Sequence, residues 1–206
     1  SGDNFGYRVA LSNDGTIVAA SGNQHSGKTG HVRIFEYSGG SWSQMGGDID
    51  GVSSGDHSGW ALDLSKDGSS IIIGSSENST GPAGTRAGEA RVFKWDGSSW
   101  NQVGSDLHGD GAGDYFGIGV AMNDDGTIVG VGGRFYDSSN GNNSGHARIY
   151  HWDETSWNLI GSEILGEATH DQGGNSLALS DDGTIFLWNA YFNDGGGSNA
   201  GHVRVY

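Results

Sequence analysis

A chain of 206 residues with 40 glycines, one proline and seven tryptophans has room for a sizeable core, and the mix favours short strands and tight turns over helices or a disordered tail. Its net charge of −15 makes nucleic acid and anionic membrane surfaces poor partners, because both require a basic face. With no cysteine there is no disulfide framework or thiolate metal site, and with no apolar run approaching the ~18 residues of a spanning helix no membrane insertion is expected.

The first stretch, GDNFGYRVALSNDGTIVAASG, predicts two strands, VALS and TIVAAS, joined by a hairpin in which the glycine of Asp14-Gly15 supplies positive φ. Then comes GNQHSGKTG, where Gly22, Gly27, Lys28 and Thr29 satisfy the phosphate-loop spacing GxxxxGK[ST]. Such a loop binds phosphate only if a helix starts at its end and aims backbone N–H groups at the anion. HVRIFEY follows instead, alternating and rich in β-formers, so a third strand is expected and nucleotide binding is set aside. A turn signal, SGGSW, leads to a fourth strand that begins at Trp42.

The same order then returns. GDHSGWALDLSKDGSSIIIGS, GDYFGIGVAMNDDGTIVGVGG and DQGGNSLALSDDGTIFLWNA repeat the opening hairpin, with turns at Asp14, Asp67, Asp125 and Asp182, hence 53, 58 and 57 residues apart. GEARVFKW, GHARIYHW and GHVRVY repeat the third strand. SWNQVGSDLHG and SWNLIGSEILG repeat the fourth with Trp100 and Trp157, and the last copy stops at Tyr206 before that segment. A period of about 57 residues with four strands per unit predicts an all-β protein, a β-propeller of four-stranded blades in units 1–51, 52–109, 110–166 and 167–206. Second strands that are apolar on both faces, such as the one carrying Ile71, Ile72 and Ile73, call for a neighbouring sheet on each side. Because the last unit lacks its fourth strand, flanking repeats or a partner chain are expected to cover the open edges, making these units part of a larger ring or array.

Phe5-Gly6 and Phe116-Gly117, each followed by an aliphatic strand, an Asp-Gly turn, a second strand and a GxVxxY-like third strand, resemble FG-GAP-type repeats, the propeller units of integrin α-chain heads and of many surface proteins of bacteria and algae. Units two and four depart from that motif with Ser58-Gly59 and Gly173-Gly174. The resemblance implies a non-catalytic binding or adhesion module, extracellular or at the cell surface, with a protein or glycan ligand. It also implies calcium between strands one and two, but SNDGT, SKDGS, NDDGT and SDDGT are too tight to gather six oxygens, so no cofactor is expected. Two alternatives stand beside it: a building block of an extracellular filament or surface assembly, and, more distantly, a propeller enzyme such as a glycoside hydrolase. Neither GxSxG nor HExxH occurs, and no catalytic residue is assigned. The sequons at Asn78 and Asn142 are no more than chance supplies.

Variable loops on a rigid scaffold are where a ligand would bind. The richest carry Arg134, Phe135, Tyr136 and Asp137 in unit three and Tyr191, Phe192, Asn193 and Asp194 in unit four. Arg33, Arg91, Arg148 and Arg204 share one repeat position, with His31, His146 and His202 two residues earlier in three of the units. Equivalent positions in successive blades lie on the order of 10 Å apart, too far for these histidines to share one ion. The arginines are expected between blades, paired with Asp3, Asp56, Asp114 and Asp171 or with Asp48, Asp106 and Glu163. Trp42, Trp100 and Trp157 read as blade-packing residues, with sugar stacking as the alternative.

Overall fold

Each Asp-Gly turn closes an antiparallel hairpin in the computed structural model, which describes residues 2–206. The first sheet comprises β1 (Val9–Leu11), β2 (Ile17–Gly22), β3 (His31–Ser38), β4 (Ser41–Gln44) and β5 (Ile49–Asp50), with a four-residue helical turn α1 (His25–Lys28) between β2 and β3. The second holds β6 (Ala61–Leu64), β7 (Ser70–Ser75), β8 (Glu89–Trp95), β9 (Trp100–Gln102) and β10 (Leu107–His108). The third holds β11 (Phe116–Met122), β12 (Ile128–Gly133), β13 (His146–Trp152), β14 (Trp157–Leu159) and β15 (Ile164–Leu165). The fourth holds β16 (Gly173–Leu179), β17 (Phe186–Ala190) and β18 (His202–Val205). The protein is all-β, and among the described residues no helix is long and apolar enough to cross a membrane.

The phosphate-loop lookalike is a strand connection. Ser26 and Gly27, inside α1, have left-handed backbone, and the chain passes directly into β3. The expected fourth strand is split. In the first sheet both β4 and β5 pair with β3, one along each half, because Gly46 turns left-handed between them; Gly104 and Gly161 do the same in the next two sheets.

The sheets stack in propeller-like succession. Their innermost strands, β6, β11 and β16, together with Arg8, line one cavity of about 270 Å³. The middle sheets are covered on both sides, as their apolar second strands require. In β7, Ile71 and Ile73 pack with Ala19, Val32 and Ile34 of the first sheet, while Ile72 packs with Val120, Val129 and Val131 of the third. Burying each such side chain contributes roughly 2 kcal/mol. Trp100 and Trp157 pack between sheets too, each donating its indole N–H to a carbonyl of the preceding sheet, Met45 at 3.0 Å and Val103 at 2.9 Å.

Where sheets approach most closely the FG motif shows its physical basis. Gly117 has φ +85°, and a Cβ there would lie 2.1 Å from the Glu89 carbonyl oxygen. Gly59 and Gly174 keep the same left-handed backbone in the units that lack the phenylalanine. In the fourth sheet the Trp188 ring fills the room that a side chain at Gly173 would need.

Candidate functional site

The two ends of the sheets differ. At the turn end, backbone bonds link successive sheets at one repeat position: Asn13 N–H donates to Lys66 O, Lys66 N–H to Asp124 O, and Asp124 N–H to Asp181 O, at 2.9, 2.9 and 3.0 Å. The turn carboxylates serve their own turns. Asp14 Oδ1 accepts from the Thr16 N–H and from the Ser12 and Thr16 hydroxyls, and Asp67, Asp125 and Asp182 repeat the backbone bond.

At the loop end, the connection between strands two and three meets the segment entering the next sheet. His57 N–H donates to Lys28 O, Tyr115 N–H to Arg86 O, and Gln172 N–H to Asn143 O. All six of these residues have positive φ. Because this strain recurs at each junction, it belongs to the fold and not to one binding site.

On that scaffold lies a row of aromatic and arginine side chains. Arg86 lies over Tyr115, whose ring meets Phe135 edge-on at 5.1 Å. Arg134 lies 4.3 Å from the centroid of Phe135 and 5.7 Å from that of Tyr191, and Tyr191 touches Phe192 at 4.4 Å. The row joins loops of three successive repeats. Sequence reading singled out Arg134, Phe135, Tyr191 and Phe192 and passed over Arg86 and Tyr115.

The other candidate loop residues are engaged by their own loops and sheets, Asn193 buried and Asp137 and Asp194 exposed. Tyr136 stacks on His146 at 4.0 Å; Asp137 accepts the Asn143 N–H at 2.7 Å, and Asp194 accepts the Asn199 N–H at 2.6 Å. Asn193 is buried, donating to Asp171 at 2.9 Å and accepting from Gly195 N–H. These four shape the loops. Asn78 is likewise buried, its carbonyl holding Thr80 and Gly81, whereas Asn142 is exposed.

The repeated arginines divide their bonds among their own sheet, the connector before it and, for Arg91, the last strand of the preceding sheet. Arg33 forks onto Asp48 at 2.9 and 2.8 Å. Arg148 bonds Glu163 and, on the connector, Asp110; Arg204 bonds Glu167; Arg91 donates to the Asp50 carbonyl at 2.8 Å. Of the acids expected as partners, Asp48 and Glu163 serve, while Asp106 is taken by Gln102. Asp56, Asp114 and Asp171 are corrected from arginine partners to turn anchors: each is buried and accepts backbone N–H groups three or four residues earlier in the chain. Asp3 faces His25 at 3.2 Å.

Beside these arginines the sheets bury different groups. His31 and His146 each set Nδ1 3.2 Å from a carboxylate, Asp48 and Glu163, and burial pushes both imidazoles below their ordinary range. The His146 hydrogen bond, followed by Arg148, draws Glu163 down to about 2. In the second sheet the same position is Glu89, 1% exposed, and burial pushes its carboxyl up to about 7. Neither of its oxygens makes a hydrogen bond.

No protein-family profile matches the chain, and no curated protein matches it. Known structures share the fold. One is a proposed 6-phosphogluconolactonase from Bacteroides uniformis, with a TM-score of 0.58 and 12% identity over 96% of this chain and 49% of that one. Another is TolB from Acinetobacter baumannii, with a TM-score of 0.51 and 13% identity over 94% of this chain and 39% of that one. The chain therefore spans half or less of the length of these structures, and at such identity the likeness is one of fold alone.

Proposed function

We propose that the protein is a non-catalytic binding module, a β-propeller of FG-GAP type working outside the cell or at its surface, whose ligand lies on the loop end of the third and fourth sheets. The observation that supports this most is the placement of Arg134 between Phe135 and Tyr191, which makes one surface from loops of two repeats. Aromatic faces with a cation between them suit a glycan, whose C–H faces stack on rings, or a protein segment with a carboxylate. The lactonase description of one structural neighbour carries no reaction to this chain at 12% identity. A glycan array and a pull-down from surface extract test the reading. Native protein is expected to give a signal that falls at least tenfold in Arg134→Ala and Tyr191→Ala; silence of native protein in both assays would count against it.

A second reading, an assembly unit, has its own support. The outer faces of the first and fourth sheets expose Val9, Leu11 and Trp42 on one side and Val203, Val205 and Tyr206 on the other. Between the inner sheets the equivalent faces are covered, so the suitable occupant is another sheet of the same repeat. Light scattering that grows with concentration, and is lost in Val9→Lys with Val203→Lys, would favour this role.

A further inference from the structure

The second sheet brings together Glu89 at the start of β8, His108 directly across from it on β10, and Asp106 two residues before His108. One ligand atom from each lies within 4.8 Å of the other two. Each carboxylate has one oxygen facing an outside donor and one turned to the common space. Glu89 Oε1 faces Arg91 Nε at 3.5 Å, and its Oε2 faces His108 Nδ1 at 3.7 Å. Asp106 Oδ1 accepts from Gln102 at 2.6 Å, and its Oδ2 lies 4.0 Å from the other ring nitrogen, His108 Nε2.

The independent sign of a ligand is what these groups lack. Glu89 is fully buried, yet both of its oxygens and His108 Nδ1 are without a hydrogen-bond partner. A buried carboxylate is ordinarily paired, hydrogen-bonded or bound to a metal. Here the nearest cation, Arg91, has an Nη on the Asp50 carbonyl and leaves Oε2 free. His108 and Asp106 are 29% and 31% exposed, which gives an ion a way in. A side chain at Gly81 would come 2.7 Å from His108 Nδ1, so the glycine keeps that approach open.

We propose that Glu89, Asp106 and His108 hold one divalent transition cation of the zinc type. One imidazole nitrogen with two carboxylate oxygens suits such an ion better than calcium or magnesium, which favour oxygen alone. Donors around a tetrahedral ion stand roughly 3.4 Å apart, so binding requires side-chain rotation that brings both carboxylates to the same His108 nitrogen. Arg91 and Gln102 then orient the carboxylates from behind, as outer partners do in metal sites. The group His25, His31 and Asp50 meets the same distance test but not the chemistry. Its two rings are stacked at 4.1 Å and 7°, so their in-plane lone pairs cannot converge, and each Nδ1 already faces a carboxylate.

The test is titration of EDTA-treated native protein with zinc chloride, read by calorimetry and by the cobalt(II) absorption spectrum. One ion per chain is expected, with affinity at least tenfold weaker in Glu89→Gln, Asp106→Asn and His108→Leu and unchanged in His25→Ala. His108→Leu is the variant to rely on for folding, because Leu165 occupies that strand position in the third sheet. Absence of one-to-one binding by native protein, or affinity unchanged in His108→Leu and Asp106→Asn, would overturn the site.

Discussion

The second and third sheets share strand order, a split outer strand and an arginine at the same place, yet they bury opposite chemistry beside it. In the third, His146 lies across from Gly133, and a Cβ on that glycine would come 2.6 Å from the imidazole Nε2. The first sheet repeats the pairing with His31 and Gly22. In the second sheet Ser75 stands where the glycine would be, and Glu89 replaces the histidine. In the first and third sheets the imidazole and the glycine form a matched pair, whereas the Ser75 hydroxyl and the Glu89 carboxylate make no hydrogen bond. The third sheet gives its buried imidazole one hydrogen bond, Nδ1 to Glu163; the second leaves both oxygens of its buried carboxylate without a hydrogen bond, with Arg91 Nε facing one of them at 3.5 Å, a departure that the fold itself does not require.

The largest test of this contrast is His146→Glu. It would put a second carboxylate beside Glu163 at a position that is itself fully buried, and a loss of about 3–5 kcal/mol is expected in chemical denaturation. Native-like stability would break the comparison. Next is the arginine: Arg148→Ala should cost about 2 kcal/mol by stranding partly buried Glu163, and Arg91→Ala should cost more, because Glu89 is fully buried.

Acid sharpens the contrast further. The Glu163 carboxyl is held near 2, below its ordinary 4.5, so its contribution to stability is present above about pH 4.5 and lost as pH falls from there toward 2. Melting curves of Glu163→Gln should be flatter across that window than those of native protein. The smallest effect belongs to the turn end. Lys66 lies 2.5 Å from Asp124 on exposed surface, so Lys66→Ala should leave the melting temperature nearly unchanged.

The strands were readable in the sequence because Asp-Gly turns and alternating apolar residues are local signals. The split of the fourth strand was not, since SWSQMGGDID reads as one run until Gly46 is known to turn left-handed. Of the candidate site, Arg134 and Tyr191 were legible as rich loop residues. Their partners Arg86 and Tyr115 were hidden, because a backbone bond between two different repeats brings them together. Glu89 stands out as a departure from its repeat column, but only the cross-strand register reveals that it faces His108.

The most direct test of the central claim, that the second sheet has exchanged a matched packing pair for an unsatisfied carboxylate, is the melting temperature of Ser75→Gly with Glu89→His in EDTA, set against Glu89→His alone. The single variant forces an imidazole against the Ser75 side chain and should melt below native protein. The double variant recreates the first sheet's arrangement, with Asp106 placed as Asp48 is, and should melt at or above native. A double variant as unstable as the single one would contradict the account.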